Sequence, residues 1–128
     1  MKYKFLLNIA FLSLFFIPFN LHSANLHDSY YYCSQIPEGN PFGLVFNKKT
    51  VIQIGVENLS IIKDYSEPYS QLSQSIKWLN VTFFLKSFTL HIGNQENKIA
   101  QCQKTEAISE LNELLESFIN SEKNKNTI

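Results

Sequence analysis

The chain contains no arginine: its eleven basic residues are all lysine, matched by eleven acids for a formal charge of zero. Without the planar guanidinium fork there is no bidentate grip on phosphate, and without a basic excess nothing holds a polyanion. Nucleic acid is therefore not expected as a partner. Glycine is scarce as well, with four residues scattered among turns, so no Gly-rich loop is available to cradle a phosphate. No spacing of His, Cys or carboxylates resembles a zinc or calcium loop, and neither metal nor cofactor is expected. Acyl transfer needs a nucleophile beside a base that a third group orients, and no such set stands out. Asp28 and Asp64 could in principle pair as acid and base, but Asp64 sits in "IIKDY", which reads as a solvated strand edge. These absences point to a binding or structural protein, not an enzyme.

What is present begins with Met1-Lys2-Tyr3-Lys4, followed by the apolar run Phe5 to Phe19 and the small residues Ser23 and Ala24. This is the order of a secretory signal peptide, lysine-led and phenylalanine-rich in the bacterial manner. A membrane-spanning helix needs about 20 predominantly apolar residues; this run is shorter and is interrupted by Asn8 and Pro18. Residues 1–24 are expected to be removed by cleavage after Ser23 or Ala24, leaving a periplasmic or secreted product with no stable membrane span. The remaining chain is about the modal size of one domain, and its nine lysines against eleven acids give a formal charge of −2. Cleavage after Ala24 would place His27 third from a free amine, a geometry able to wrap Cu(II) or Ni(II). Cleavage one residue earlier abolishes it, so no metal site is assigned there.

Export bears on the two cysteines, Cys33 and Cys102, because oxidising compartments favour pairing of thiols. Cys33 closes the stretch "SYYYCSQ", Ser29 to Gln35. Read as a strand, this stretch puts Tyr31 and Cys33 on one face and Tyr30 and Tyr32 on the other. Tyr31 is expected in the core, with Tyr30 and Tyr32 either half-buried under another element or part of a binding surface. A reactive thiol would need a neighbouring His or Lys to lower its pKa, and no histidine lies near Cys33 in sequence. A structural disulfide joining the first strand to the last is the expectation.

The middle of the chain reads as a meander. "NKK" at 47–49, "EN" at 57–58 and "SEPY" at 66–69 mark turns, while Gly55 inside a strand pattern suggests a bulge or a close backbone approach. Ile76 and Trp78 share one face of a strand; Phe88, Leu90 and Ile92 share another, opposite Thr89 and a solvent-facing His91, before a "GNQEN" hairpin. From Thr105 the period changes to that of a helix: Ile108, Leu111, Leu115 and Phe118 recur at helical spacing, Leu114 and Ile119 widen the stripe, and Thr105 can cap. The fold class expected is mainly β (α+β): an antiparallel meander sheet of six to eight short strands, curled toward a barrel. One C-terminal amphipathic helix packs on it against residues such as Trp78 and Leu90. In these terms residues 25–104 form the disulfide-tied β domain, 105–122 its helix and 123–128 a frayed tail.

Glu106, Glu110, Glu113 and Glu116 form an acidic stripe along the helix. Such a face serves solubility, or docks a basic partner. The candidate binding surface is thus Tyr30, Tyr32, Glu106, Glu110 and Glu113, the partner an unknown protein or envelope component. The "YYC" of Tyr31 to Cys33, the strand-rich middle and Cys102 in a late strand also resemble the layout of the small periplasmic inhibitors of C-type lysozyme. That resemblance implies a disulfide-tied β-barrel and, as a second functional reading, inhibition of a cell-wall-degrading enzyme such as lysozyme. Those inhibitors carry a Ser-Gly-x-x-Tyr stretch and a later Lys-Gly. Here "DYSEPYS" has no glycine and no Lys-Gly occurs, so no residue role is carried over.

Overall fold

The computed structural model describes residues 28–93 and 98–126. The expected signal peptide, the His27 terminus, most of the "GNQEN" hairpin and the last two residues lie outside that set. The described residues form nine strands and one helix: β1 (Ser29–Gln35), β2 (Phe42–Phe46), β3 (Thr50–Glu57), β4 (Ser60–Pro68), β5 (Ser70–Gln71), β6 (Ser75–Trp78), β7 (Val81–Phe84), β8 (Thr89–Ile92), β9 (Lys98–Thr105) and α1 (Ile108–Asn126). The architecture is the expected mainly antiparallel barrel with a C-terminal helix, and the strand count is slightly higher.

All strands join one antiparallel sheet in the order β4-β3-β2-β1-β9-β8-β7-β6-β5. Only Tyr69 separates β4 from β5, so the two edges of the sheet are consecutive in sequence and the sheet curls almost shut at that corner. Pro68, which cannot donate to a ladder, ends β4 where the chain turns. The exposed edge of β4 carries Lys63 and an unpaired residue at Asp64, two devices that discourage a foreign strand from adding there. The β3–β4 hairpin turns through Asn58 and Leu59, both left-handed (φ 53° and 63°). This places the corner one residue later than the sequence suggests.

Alternation along the strands sorts side chains into two layers. Inside the barrel lie Tyr31, Cys33, Leu44, Phe46, Val51, Ile76, Trp78, Phe83, Leu90, Ala100 and Cys102. The rings fill this space in contact with one another: Tyr31 meets Phe46 and Phe83 edge-on at 5.7 and 4.9 Å between centroids, and Phe46 stacks on Phe83 at 5.9 Å. Edge-to-face and offset pairs are the arrangements that ring quadrupoles favour. Phe88 joins this layer from a turn, at φ 57°, while Ile92 at the strand end is exposed. Cys33 stands directly opposite Cys102 on paired strands β1 and β9, their Cα atoms 4.0 Å apart, and the two form a disulfide.

The second layer lies between the sheet and α1, where Val45, Leu111 and Leu115 form a cluster flanked by Tyr30, Tyr32, Ile52, Ile54, Val56 and Ile61. This corrects the expected seat of the helix. Trp78 and Leu90 point into the barrel, whereas α1 crosses the outer face of β1, β2, β4 and β9. Gly43 makes that approach possible, since a Cβ there would come within 2.9 Å of Leu111 Cδ2. The buried line of the helix is Leu111, Leu115 and Ile119. Ile108 is exposed and Phe118 half-buried, so the stripe is rotated from the expected one.

Both ends of α1 also differ. Thr105 is the last residue of β9, and its hydroxyl donates to the carbonyl of Tyr30 at 3.1 Å instead of capping. The cap comes from Glu110, whose carboxylate reaches back to accept the Glu106 N–H at 2.8 Å. At the other end the helix continues through Asn126. Lys123 and Lys125 there complement the helix dipole, and Lys125 pairs with Glu122 at 3.0 Å.

Candidate functional site

The interior-facing positions change character toward one end of the barrel. On β1 the series is Tyr31, Cys33, Gln35; on β3 it is Val51, Gln53, Gly55, paired across the ladder with Phe46, Leu44 and then β4. Apolar side chains form the floor and polar ones the mouth. The cavity at this mouth is about 220 Å³ and is lined by Gln35, Asn40, Gln53, Glu57 and Asp64 with Phe42, Val56 and Ile62 among the apolar walls. Barrel mouths are among the places where ligands are held.

A bulge shapes the site. Gln53 pairs with Tyr65 and Ile54 with Lys63, which leaves Asp64 without a partner across the ladder. The extra residue turns its carboxylate inward over Gly55, where a Cβ would stand 2.6 Å from Asp64 Oδ2. Asp64 is exposed on the edge strand, as the sequence suggests, with its carboxylate lying over Gly55. Gln53 Nε2 donates to Asp64 Oδ2 at 3.0 Å, Tyr65 OH donates to Gln53 Oε1 at 2.7 Å, and Trp78 Nε1 donates to Tyr65 OH at 2.8 Å. This relay runs from the packed core to the mouth. It also links β6 to β4 by side chains, close to the corner where the two edges of the sheet meet.

Burial pushes the Tyr65 phenol above its ordinary value of 10.0; the Trp78 hydrogen bond opposes this, and the nearby charges of Asp64 and Glu67 push it further up. Burial likewise raises Tyr31, Tyr32 and Tyr69. In the unfolded chain these phenols lose their protons first, so the native state binds more protons than the unfolded state in the alkaline range. Their contribution to stability is fully present below pH 10.0 and is lost as pH rises through the higher folded values. Denaturation midpoints taken from neutral pH to about pH 11 should fall above pH 10, less steeply in Tyr65→Phe. At neutral pH that variant should itself cost about 1–3 kcal/mol, because Trp78 Nε1 and Gln53 Oε1 lose their common partner.

The residues expected to form a binding surface lie on β1 and in or just before α1. Tyr30 and Tyr32 are half-buried against the cluster beneath α1. Glu110 is turned back on the helix start, while Glu106 and Glu113 are exposed. Asp28 lines a separate depression with Lys104, Thr105 and Glu106, so it shares no cavity with Asp64. His91 is half-buried, with its ring edge-on to Phe84 at 4.9 Å. Among the described residues no group of three His, Cys, Asp or Glu is placed to hold a metal ion, and no helix is long and apolar enough to cross a membrane. The mouth as a whole escaped sequence reasoning, because Gln35, Gln53 and Asp64 come from three different strands; the one local signal was Gly55, read as a bulge or close backbone approach.

Comparison with protein-family models, with curated proteins and with solved structures found no match in any of the three.

Proposed function

We propose that this chain is a small exported, non-catalytic binding protein of the bacterial periplasm or secreted fraction, and that it engages a partner protein at the mouth of its barrel. The observation that carries this reading is the size and placing of the cavity. The barrel interior is filled by aromatic rings, which leaves the mouth, at about 220 Å³, below the ~300–1,000 Å³ typical of small-molecule pockets. Such a space suits one inserted side chain. Two exposed apolar residues adjoin its lining in sequence, Ile36 after Gln35 and Leu59 in the turn after Glu57, and supply apolar surface for a partner. The order of residues 1–24 and the Cys33–Cys102 disulfide support export to an oxidising compartment.

The test is a pull-down with the oxidised, exported protein against periplasmic extract and against lysozyme. Capture should be lost when Ile36→Ser and Leu59→Asn are combined, and kept when Glu113 and Glu116 are changed to Gln. The opposite pattern would place docking on the acidic face of α1. Retention of lysozyme with loss of its activity would establish the inhibitor reading instead.

A further inference from the structure

The mouth holds two carboxylates and no lysine, and each of its three carboxamide nitrogens spends one of its two N–H groups on a protein oxygen. Gln35 Nε2 donates to the Asn40 carbonyl at 2.8 Å, Asn40 Nδ2 to the Val56 carbonyl at 3.2 Å and Gln53 Nε2 to Asp64 Oδ2 at 3.0 Å. Each acceptor is an oxygen with no hydrogen to give, which fixes the nitrogen end of every amide toward the protein. Tyr65 occupies Gln53 Oε1. What is left includes the second carboxylate oxygen of Asp64 and the carboxylate of Glu57. No lysine lines the cavity, and among the described residues neither acid has an ion-pair partner.

We infer that the mouth receives a lysine or arginine side chain of the partner, its nitrogen donating to Asp64 and its aliphatic stem lying against Phe42, Val56 and Ile62. This rests on the reading of the mouth as the partner-binding end. A long basic side chain matches both halves of the site, since it carries an apolar stem and a charged, donor-only head. The carboxylate that meets it is held by Gln53, and Gln53 in turn by Tyr65 and Trp78, so one oxygen is presented in a set position. Gly55 supplies the room for it.

The probes are blocked tripeptides carrying lysine, arginine or norleucine between alanines, and calcium chloride, each titrated at millimolar concentration into isotope-labelled, oxidised protein. The lysine or arginine peptide should shift the backbone amides of Gln53, Gly55 and Asp64, with the effect fading as salt is added. The norleucine peptide should not. Asp64→Asn, which can still accept from Gln53, should weaken binding about tenfold. Gly55→Ala should reproduce that loss with Asp64 intact, because its Cβ displaces the carboxylate. Equal shifts with norleucine, shifts with calcium alone, or no shift with any basic peptide would overturn the inference. If it falls while capture of a protein partner still depends on Ile36 and Leu59, the mouth remains the docking end and only the basic side chain is wrong.

Discussion

Replacing Cys33 and Cys102 together by alanine should lower the melting temperature by about 15–30 °C. The bridge spans a sequence separation of 69 and ties β1 to β9, the pairing that joins the two halves of the sheet. Releasing a loop of that length from the unfolded state corresponds to about 4 kcal/mol in the chain-entropy model, and a domain of this size shifts by roughly 4–8 °C per kcal/mol. Both sulfurs lie in the packed interior, Cys33 fully buried, so the deletion also leaves space among Tyr31, Phe42 and Ala100. Thermal melts of the oxidised protein, the same protein with reductant, and the double variant would separate these contributions. A drop of only a few degrees in all of them would mean that the β1–β9 ladder holds without the covalent tie.

Leu111→Ala should destabilise the domain by about 2–5 kcal/mol, the range for truncating a large, fully buried aliphatic side chain. Leu111 reaches the sheet directly above Gly43, and its cluster is the main apolar contact of α1 with the barrel. The same contact can be probed from the other side. Gly43→Ala would bring a methyl within 2.9 Å of Leu111 Cδ2, and overpacking of this kind costs about 1–3 kcal/mol. Urea denaturation of both variants, followed by tryptophan fluorescence from Trp78 in the barrel, tests whether helix and barrel unfold as one unit. If Leu111→Ala left the Trp78 transition in place, the helix would be an independent attachment. The Gly43 variant would then be expected to change little as well.

Much of this architecture can be read from the chain alone, because it follows from local periodicity. Alternation in "SYYYCSQ" put Tyr31 and Cys33 inward and Tyr30 and Tyr32 outward, as the register of β1 has them. The change of period after β9 announced the helix, and two cysteines on the first and last strands left one bridge to make. Periodicity states which residues share a face but not what that face meets. Leu111 and Leu115 were therefore evident as apolar positions of α1, while the rotation of its stripe toward Ile119 and its seat on Gly43 and Val45, not on Trp78 and Leu90, depended on which way the sheet curls. The cap passed from Thr105 to Glu110 for a similar reason: Thr105 was taken up by pairing with Tyr30, a residue from the other end of the chain. At the mouth only Gly55 was legible, as the bulge or close approach that a glycine inside a strand suggests; the rest was decided by tertiary structure. A bulge that frees Asp64, a glycine that makes room for it and a relay through Gln53, Tyr65 and Trp78 draw on three strands, and no local pattern records a contact among residues so far apart.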